Sequence, residues 1–248
     1  MNPLLTLVAS AAGYLFGSIS SSRIIARRVN PQADISKIEY PVPGSDDLFV
    51  TDSVSATAAR HHLGTRWGCL TAILDMVKVF VPVLACRLLW PGQPYLYFAA
   101  AFGLVGHDWP LFAGFKGGRG ESPIIGGLLA IDPIGLVLTS AASAATGLVV
   151  GHILVFRWAW LLYLIPWFWV RTHSPYAVGY MVISNIIYWY TMSPELIQYA
   201  KMGPKGISPT QEEIADFFAM GKPLGRAMDR LSILALVARA AKKRGQNQ

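Results

Sequence analysis

Residues 67–89 read WGCLTAILDMVKVFVPVLACRLL, twenty-three residues in which the only charges are Asp75, Lys78 and, near the end, Arg87. At ~1.5 Å of rise per residue such a segment crosses a hydrocarbon core of ~30 Å as a helix. It shows no alternation of apolar and polar positions, so it does not read as a half-buried strand. Inside lipid every backbone N–H and C=O must find a partner within the protein, and a helix meets that demand by itself.

Working outward, similar apolar stretches lie at Leu4–Ile25, Tyr95–Phe115, Ile134–Phe156, Trp158–Val170 and Tyr176–Met192, with a shorter one at Pro123–Ile131. The short stretch is too brief to span alone and reads as a half-helix or a tilted segment. Composition agrees: of 248 residues, 53% are hydrophobic and 14% charged, and the mean hydropathy is +0.42, outside the range of ordinary soluble domains. The expected fold is all-α, a polytopic membrane helix bundle of about seven transmembrane segments. Residues 1–200 form the membrane domain and residues 201–248 a basic helical tail.

The 21 Lys and Arg exceed the 14 Asp and Glu. In a membrane protein such an excess marks cytoplasmic loops. Without a zinc-like or nucleic-acid motif it does not point to nucleic acid. The cations of Arg23 to Arg66, Lys116, Arg119, Arg157 and the tail share one face, whereas Arg87 and Arg171 lie opposite. This places the N-terminus outside and the C-terminus in the cytoplasm; if the short segment did not cross, the topology after it would invert. Leu4–Ile25 has no basic stretch before it and no small-residue cleavage site after it, so it reads as a retained span. Cys69 and Cys86 sit too far apart along one helix to bond and read as small core residues.

Asn30–Arg66, with Pro41, Pro43 and Gly44, reads as turns and a connecting loop long enough to fold over a site. Ser208, Pro209 and Gln211 read as the cap, first position and capping-box residue of a helix reaching Met220. Leu224–Arg244 mixes leucines with six cations. It reads either as a helix lying on an anionic leaflet or as one packed under the bundle.

Candidate chemistry centres on Gly106-His107-Asp108 through Lys116-Gly117-Gly118-Arg119-Gly120, followed by Ser122 and Pro123. With Ser122 as N-cap and Pro123 at the first helical position, the positive end of a helix dipole faces a glycine-rich turn carrying two cations. That is an anion site, and phosphate suits it. It lacks the Gly-Lys-Ser/Thr ending of a P-loop. A plain basic cytoplasmic turn is the structural alternative. Asp75 and Lys78, three apart on one helix face, read either as an ion pair or as part of a site. His107 and Asp108 read either as a helix-end hydrogen-bonding pair or as a base and its orienter. Gly13, Gly17, Ser18, Ser20, Ser21 and Ser22 form a small-residue stripe suited to close helix packing. Trp158, Trp160, Trp167 and Trp169 read as interfacial anchors.

These residues together resemble the bacterial acyl-phosphate:glycerol-3-phosphate acyltransferases, membrane enzymes of seven spans. Gly13-Tyr14-Leu15-Phe16-Gly17-Ser18-Ile19 is similar to the family's opening motif, Ala56-Thr57 with Leu63-Gly64 to its first loop, and Leu74-Asp75-Met76-Val77-Lys78 to its Leu-Asp-x-x-Lys. Gly106–Gly120 resembles, nearly residue for residue, the family's Gly-His-x-x-Pro-x-Phe-x-x-Phe-Lys-Gly-Gly-Lys-Gly, with Arg119 in place of a lysine. The likeness runs from about residue 4 to residue 160 and then fades.

The resemblance implies transfer of a fatty acyl group from acyl phosphate to glycerol 3-phosphate, giving lysophosphatidic acid in phospholipid biosynthesis at the bacterial inner membrane, without coenzyme A, cofactor or metal. Lys116, Gly117, Gly118, Arg119, Gly120 and Ser122 would then hold phosphate. The family's Gly-Ser-Gly-Asn falls here on Val50-Thr51-Asp52-Ser53, its next Asn is Ala58, and its loop arginine aligns with His61, one position after Arg60. Thr51 or Ser53 would stand in for the serine, with Arg60 or His61 assisting and His107 in the catalytic set. The family's serine after Arg-Tyr is Trp160 here, and its C-terminal His-x-x-Asn-Ile-x-Arg is absent near Ser193–Tyr199. These changes leave two other readings open. One is a noncatalytic relative binding phosphorylated lipid precursors or a protein partner; the other is a small-anion transporter built on Asp75, Lys78 and His107.

Overall fold

The computed structural model describes residues 1–218 and 220–233. The helices are α1 (Pro3–Gly17), α2 (Ser21–Val29), α3 (Ala56–Leu63), α4 (Thr65–Leu89), α5 (Tyr95–Asp108), α6 (Glu121–Ile131), α7 (Pro133–Val150), α8 (Ile153–Thr172), α9 (Pro175–Ala200), α10 (Gln211–Phe217) and α11 (Lys222–Leu231). Each apolar stretch singled out in the sequence contains a helix. The continuous segment Pro3–Val29 and helices α4, α7 and α8 are long and apolar enough to cross a bilayer by themselves.

The short segment does run from one end of the bundle to the other. α6 starts at Gly120 beside the Gly-rich turn, and its last carbonyls, of Ala130 and Ile131, accept from Arg87 at the far end of α4 at 2.6 and 3.5 Å. Asp132 follows, held there by Arg171 at 3.1 Å and by the Trp167 indole N–H at 2.8 Å. The two cations that fell on the minority face therefore share one cluster. Seven passes, α1 and α4–α9, alternate between the ends. α5 and α6 span less than a bilayer at ~1.5 Å per residue, which is tolerated because both pack among longer helices.

Close packing has a simple source. A Cβ on Gly13 or Gly17 of α1 would collide with the α5 backbone at Ala99 or Gly103, and one on Gly126 of α6 with the α4 backbone at Met76. The small-residue stripe is thus the α1–α5 interface.

The structure corrects four expectations. The first apolar stretch is two helices, broken at Ser18–Ser20, where the Ile19 carbonyl turns inward to accept from Lys78 at 2.7 Å. Asn30–Arg66 is not simply loop. It holds an antiparallel hairpin, β1 (Ile38–Pro41) with β2 (Leu48–Thr51), and then α3. The hairpin turns at Gly44, whose φ of +75° suits a residue without Cβ, and Gln198 of α9 exchanges two 2.9 Å hydrogen bonds with the Val50 backbone. Third, Trp158 and Trp160 are buried in the core and only Trp169 is largely exposed. Aromatic pairing decides this: Trp158 meets Tyr188, Trp189 and Phe218 edge-on. Finally, the tail helix starts later than expected. Thr210 is the N-cap and Glu213 closes the capping box, because Ser208 and Pro209 precede the first helical turn.

The tail packs on the bundle. Phe217, Phe218 and Met228 belong to the main core, and the Gln211 side chain accepts from the Ile153 N–H at 2.8 Å. Of the expected amphipathic segment Leu224–Arg244, the part after residue 233 lies outside the described residues. Replacing Gly13 by Leu should force α1 away from α5 and lower the unfolding temperature in detergent, with a cost of about 1–3 kcal/mol for overpacking, while Leu7→Ala on the lipid-facing side of α1 should leave it nearly unchanged.

Candidate functional site

At the Gly-rich end of the bundle lies a cavity of about 300 Å³, walled by β2, α3, α4, α6, α8, α9 and the tail. The local sequence explains its shape. α5 stops at Asp108, and the chain turns back through Gly114 and Phe115, both at positive φ, to bring residues 116–120 over the end of α5. Gly117 and Gly118 lie so close to His107 that a Cβ on either would collide with its carbonyl or its ring. The Gly118 N–H donates to the His107 carbonyl at 3.2 Å, and the Gly117 carbonyl accepts from the Val54 N–H at 3.0 Å. These two glycines pack the turn onto α5. They do not line the cavity.

Gly120, at φ +86°, takes the N-cap position of α6. This corrects the assignment of Ser122, which is inside the first turn, because the left-handed Gly120 already provides the break from which the helix starts. The consequence for electrostatics is unchanged. Gly120, Glu121 and Ser122 line the cavity, so the positive end of α6 faces it.

Three ion pairs surround the space. Asp75 Oδ1 meets Lys78 Nζ at 2.9 Å and accepts from Ser21 Oγ at 2.8 Å, with His107 Nδ1 3.7 Å away. Arg119 pairs with Glu195 and donates to the Thr191 carbonyl. Burial lowers the Arg119 guanidinium to about 10, which leaves it a cation at neutral pH. Arg157 grips Glu121 through its Nε–Nη2 edge, at 3.3 and 2.5 Å, and donates from Nη1 to the Phe218 carbonyl at 2.7 Å. The cations are thereby fixed in place at the rim of a helix N-terminus.

Among the described residues, the buried His107 Nδ1, Trp158 Nε1 and Glu195 Oε2 have no hydrogen-bond partner in the protein, and all three residues line the cavity. Buried polar atoms without partners are uncommon and costly, so such a cluster at one cavity marks a place built to meet a polar ligand. The donor set, guanidinium groups, an indole N–H and helix N–H groups, suits phosphate or a developing oxyanion. Among the described residues, no group of three or more His, Cys, Asp or Glu side chains is placed to hold a metal ion.

Of the residues singled out from sequence, Thr51, Ser53, Asp75, His107, Arg119, Gly120 and Ser122 line the cavity. Lys78 stands behind Asp75. Lys116 is exposed outside the lining, its carbonyl held by Arg23 at 2.7 Å, so the two cations of the turn point to different places. Arg60 and His61 also lie outside the lining. The Arg60 Cβ packs where α3 meets Gly68, and the exposed His61 stands edge-on to Tyr40. His107 is oriented toward Asp75, not toward Asp108, whose carboxylate is buried beneath Gly120.

Sequence reasoning missed Glu121, Glu195, Tyr188, Phe217 and Phe218, and treated Arg157 only as a topological charge. Glu195 could have been found, since it is an acid inside an otherwise apolar helix, a position that is expensive without a partner.

The arrangement defines a polytopic membrane protein with a cavity rimmed by paired cations and a helix N-terminus at one end. The family model for glycerol-3-phosphate acyltransferase matches residues 7–200, and the chain belongs to that family. It is 31% identical over 198 residues to the glycerol-3-phosphate acyltransferase of Albidiferax ferrireducens, covering 77% of this chain and 75% of that one. With the enzyme of Mycoplasma capricolum it shares 35% over 138 residues, 53% of this chain and 49% of the relative. The chain thus spans about half the length of several curated relatives that it matches. The fold is that of the integral membrane glycerol 3-phosphate acyltransferase PlsY. The crystal structures of its glycerol 3-phosphate and lysophosphatidic acid forms superpose with TM-scores of 0.64 and 0.62 at 22% identity, over 79% of this chain and 92% of theirs.

Replacing Lys78 by Met should destabilise the protein by about 3–5 kcal/mol, because it leaves Asp75 charged and unpaired in the bundle. The double change Asp75→Asn with Lys78→Met should recover most of the loss, read as unfolding temperature in detergent.

Proposed function

We propose that this protein transfers a fatty acyl group from acyl phosphate to glycerol 3-phosphate, producing lysophosphatidic acid and inorganic phosphate. The observation that carries the reading is the cavity's lining, where Arg119, Arg157 and the N-terminus of α6 converge beside the partnerless His107 Nδ1 and Trp158 Nε1. Both substrates carry phosphate, and PlsY, whose fold this chain shares, has been crystallised in a glycerol 3-phosphate form.

In this reading the primary hydroxyl of glycerol 3-phosphate attacks the acyl carbonyl carbon. The new ester C–O bond forms, the C–O bond to phosphate breaks, and phosphate leaves with the electron pair of that bond. The hydroxyl proton passes to His107, which Asp75 at 3.7 Å stabilises once it is charged. His107 later returns the proton to the departing phosphate, so no proton is gained or lost by the protein over the cycle. Arg119 and the α6 N–H groups stabilise phosphate and the developing oxyanion, the kind of electrostatic help that contributes most in a water-poor site. Thr51 and Ser53, buried in the cavity wall, orient the hydroxyl. Lys116, Arg60 and His61, outside the cavity, serve approach and loop packing.

The site end faces the cytoplasm of a bacterial inner membrane, with the N-terminus outside. The clustering of Arg23, Lys116, Arg119, Arg157 and, among the described tail residues, Lys205 and Lys222 at that end supports this orientation. Residues 201–248 form an appended tail.

The test incubates purified, detergent-solubilised protein with acyl phosphate and labelled glycerol 3-phosphate and measures lysophosphatidic acid. Arg119→Ala should lower kcat/KM by about 10²–10³-fold and His107→Ala by about 10²–10⁴-fold. Folded wild-type protein that makes no product would overturn the enzyme and favour a binding protein of the same fold.

A further inference from the structure

The family match ends at residue 200, yet the chain beyond it reaches the site. Phe217 and Phe218 line the cavity, and the Phe218 carbonyl holds Arg157. A second hollow of about 440 Å³ lies on the other side of the Glu121–Arg157 pair, sharing those two residues with the first. Its remaining walls are Ser140 and Ala144 of α7, Phe156 and Trp160 of α8, and Met220 and Leu224 of the tail.

The chemistry of this hollow differs from that of the site. Beyond the ion pair and the Ser140 hydroxyl its lining side chains are apolar, and two of them, Ser140 and Ala144, are small and lie one helical turn apart on α7. Val137, Leu138 and Val149 of the same helix are exposed on the bundle's lipid-facing side. The site cavity is at the small end of the range for ligand pockets, ~300–1,000 Å³, and its charged rim is suited to a phosphate head. A long acyl chain attached to that head must leave the cavity, and the hollow adjoins it at the shared Glu121–Arg157 pair.

Resting on the acyltransferase reading, we propose that Met220 and Leu224 of the C-terminal extension complete a channel between α7 and α8 that takes the acyl chain of the donor, so that the extension sets which chain lengths are used. Arg157 marks the junction: its guanidinium faces the phosphate side, and its stem lies beside the chain. The tail contributes the outer wall that α7 and α8 cannot close by themselves.

The experiment uses the full chain in detergent and compares palmitoyl phosphate with butyryl phosphate as donors. Leu224→Trp, or Ala144→Phe from the opposite wall, should lower the palmitoyl-to-butyryl ratio of kcat/KM about tenfold, whereas Leu138→Trp on the lipid-facing side of α7 should not. An unaltered ratio in both channel variants overturns the channel, and Ala144→Phe decides the matter if Leu224→Trp does not fold. Wild-type turnover of either donor tests the enzyme separately. Should neither donor be turned over, binding of hexadecylphosphonate still tests the channel: weakening of about tenfold in Ala144→Phe supports an alkyl-chain site, and unchanged binding overturns it.

Discussion

Charges placed inside an apolar bundle must be paired, because an isolated ion there carries a desolvation cost that packing cannot offset. Asp75–Lys78, Arg119–Glu195 and Glu121–Arg157 meet that condition; the first lies within α4, the second ties the Gly-rich turn to α9, and the third ties α6 to α8. Much else at this end depends on them. The break between α1 and α2 turns the Ile19 carbonyl toward Lys78. Glu195 brings α9 to the turn, and Arg157 reaches both the start of α6 and the tail.

The same pairs give the cavity its character. A guanidinium held by both a carboxylate and a backbone carbonyl, as Arg119 and Arg157 are, is fixed in one place. Charge balance also moderates the field. Three carboxylates neutralise three cations, leaving the α6 N-terminus and the unpartnered indole and imidazole atoms to favour a polar, anionic ligand.

Departures from the family pattern acquire a physical sense in this setting. The loop that departs from the family around Thr51–Ser53 is a hairpin anchored by Gln198 and by stacking of Phe49 on Phe217 at 4.8 Å. Trp160, where the family has serine, is a buried wall of the second hollow. The tail packs Phe218 against Trp158 and Tyr199. Loop, helix α8 and extension are therefore parts of one aromatic cluster.

The membrane fold was legible in the sequence because apolar stretches long enough to cross a bilayer can satisfy their backbone only as helices, a constraint that acts locally. The Gly106–Gly120 turn was legible as an anion site for a similar reason, since glycines, cations and a helix start lie within a few residues of one another. Partner choice was not legible. Lys116 and Arg119 look equivalent along the chain, yet Arg119 turns inward to Glu195, seventy-six positions away, and Lys116 faces outward. The hairpin, the core placement of Trp158 and the tail's share in the cavity likewise depend on contacts between segments distant in sequence. Only the tertiary structure decides these, because pairing and burial depend on distances in space that no local pattern encodes.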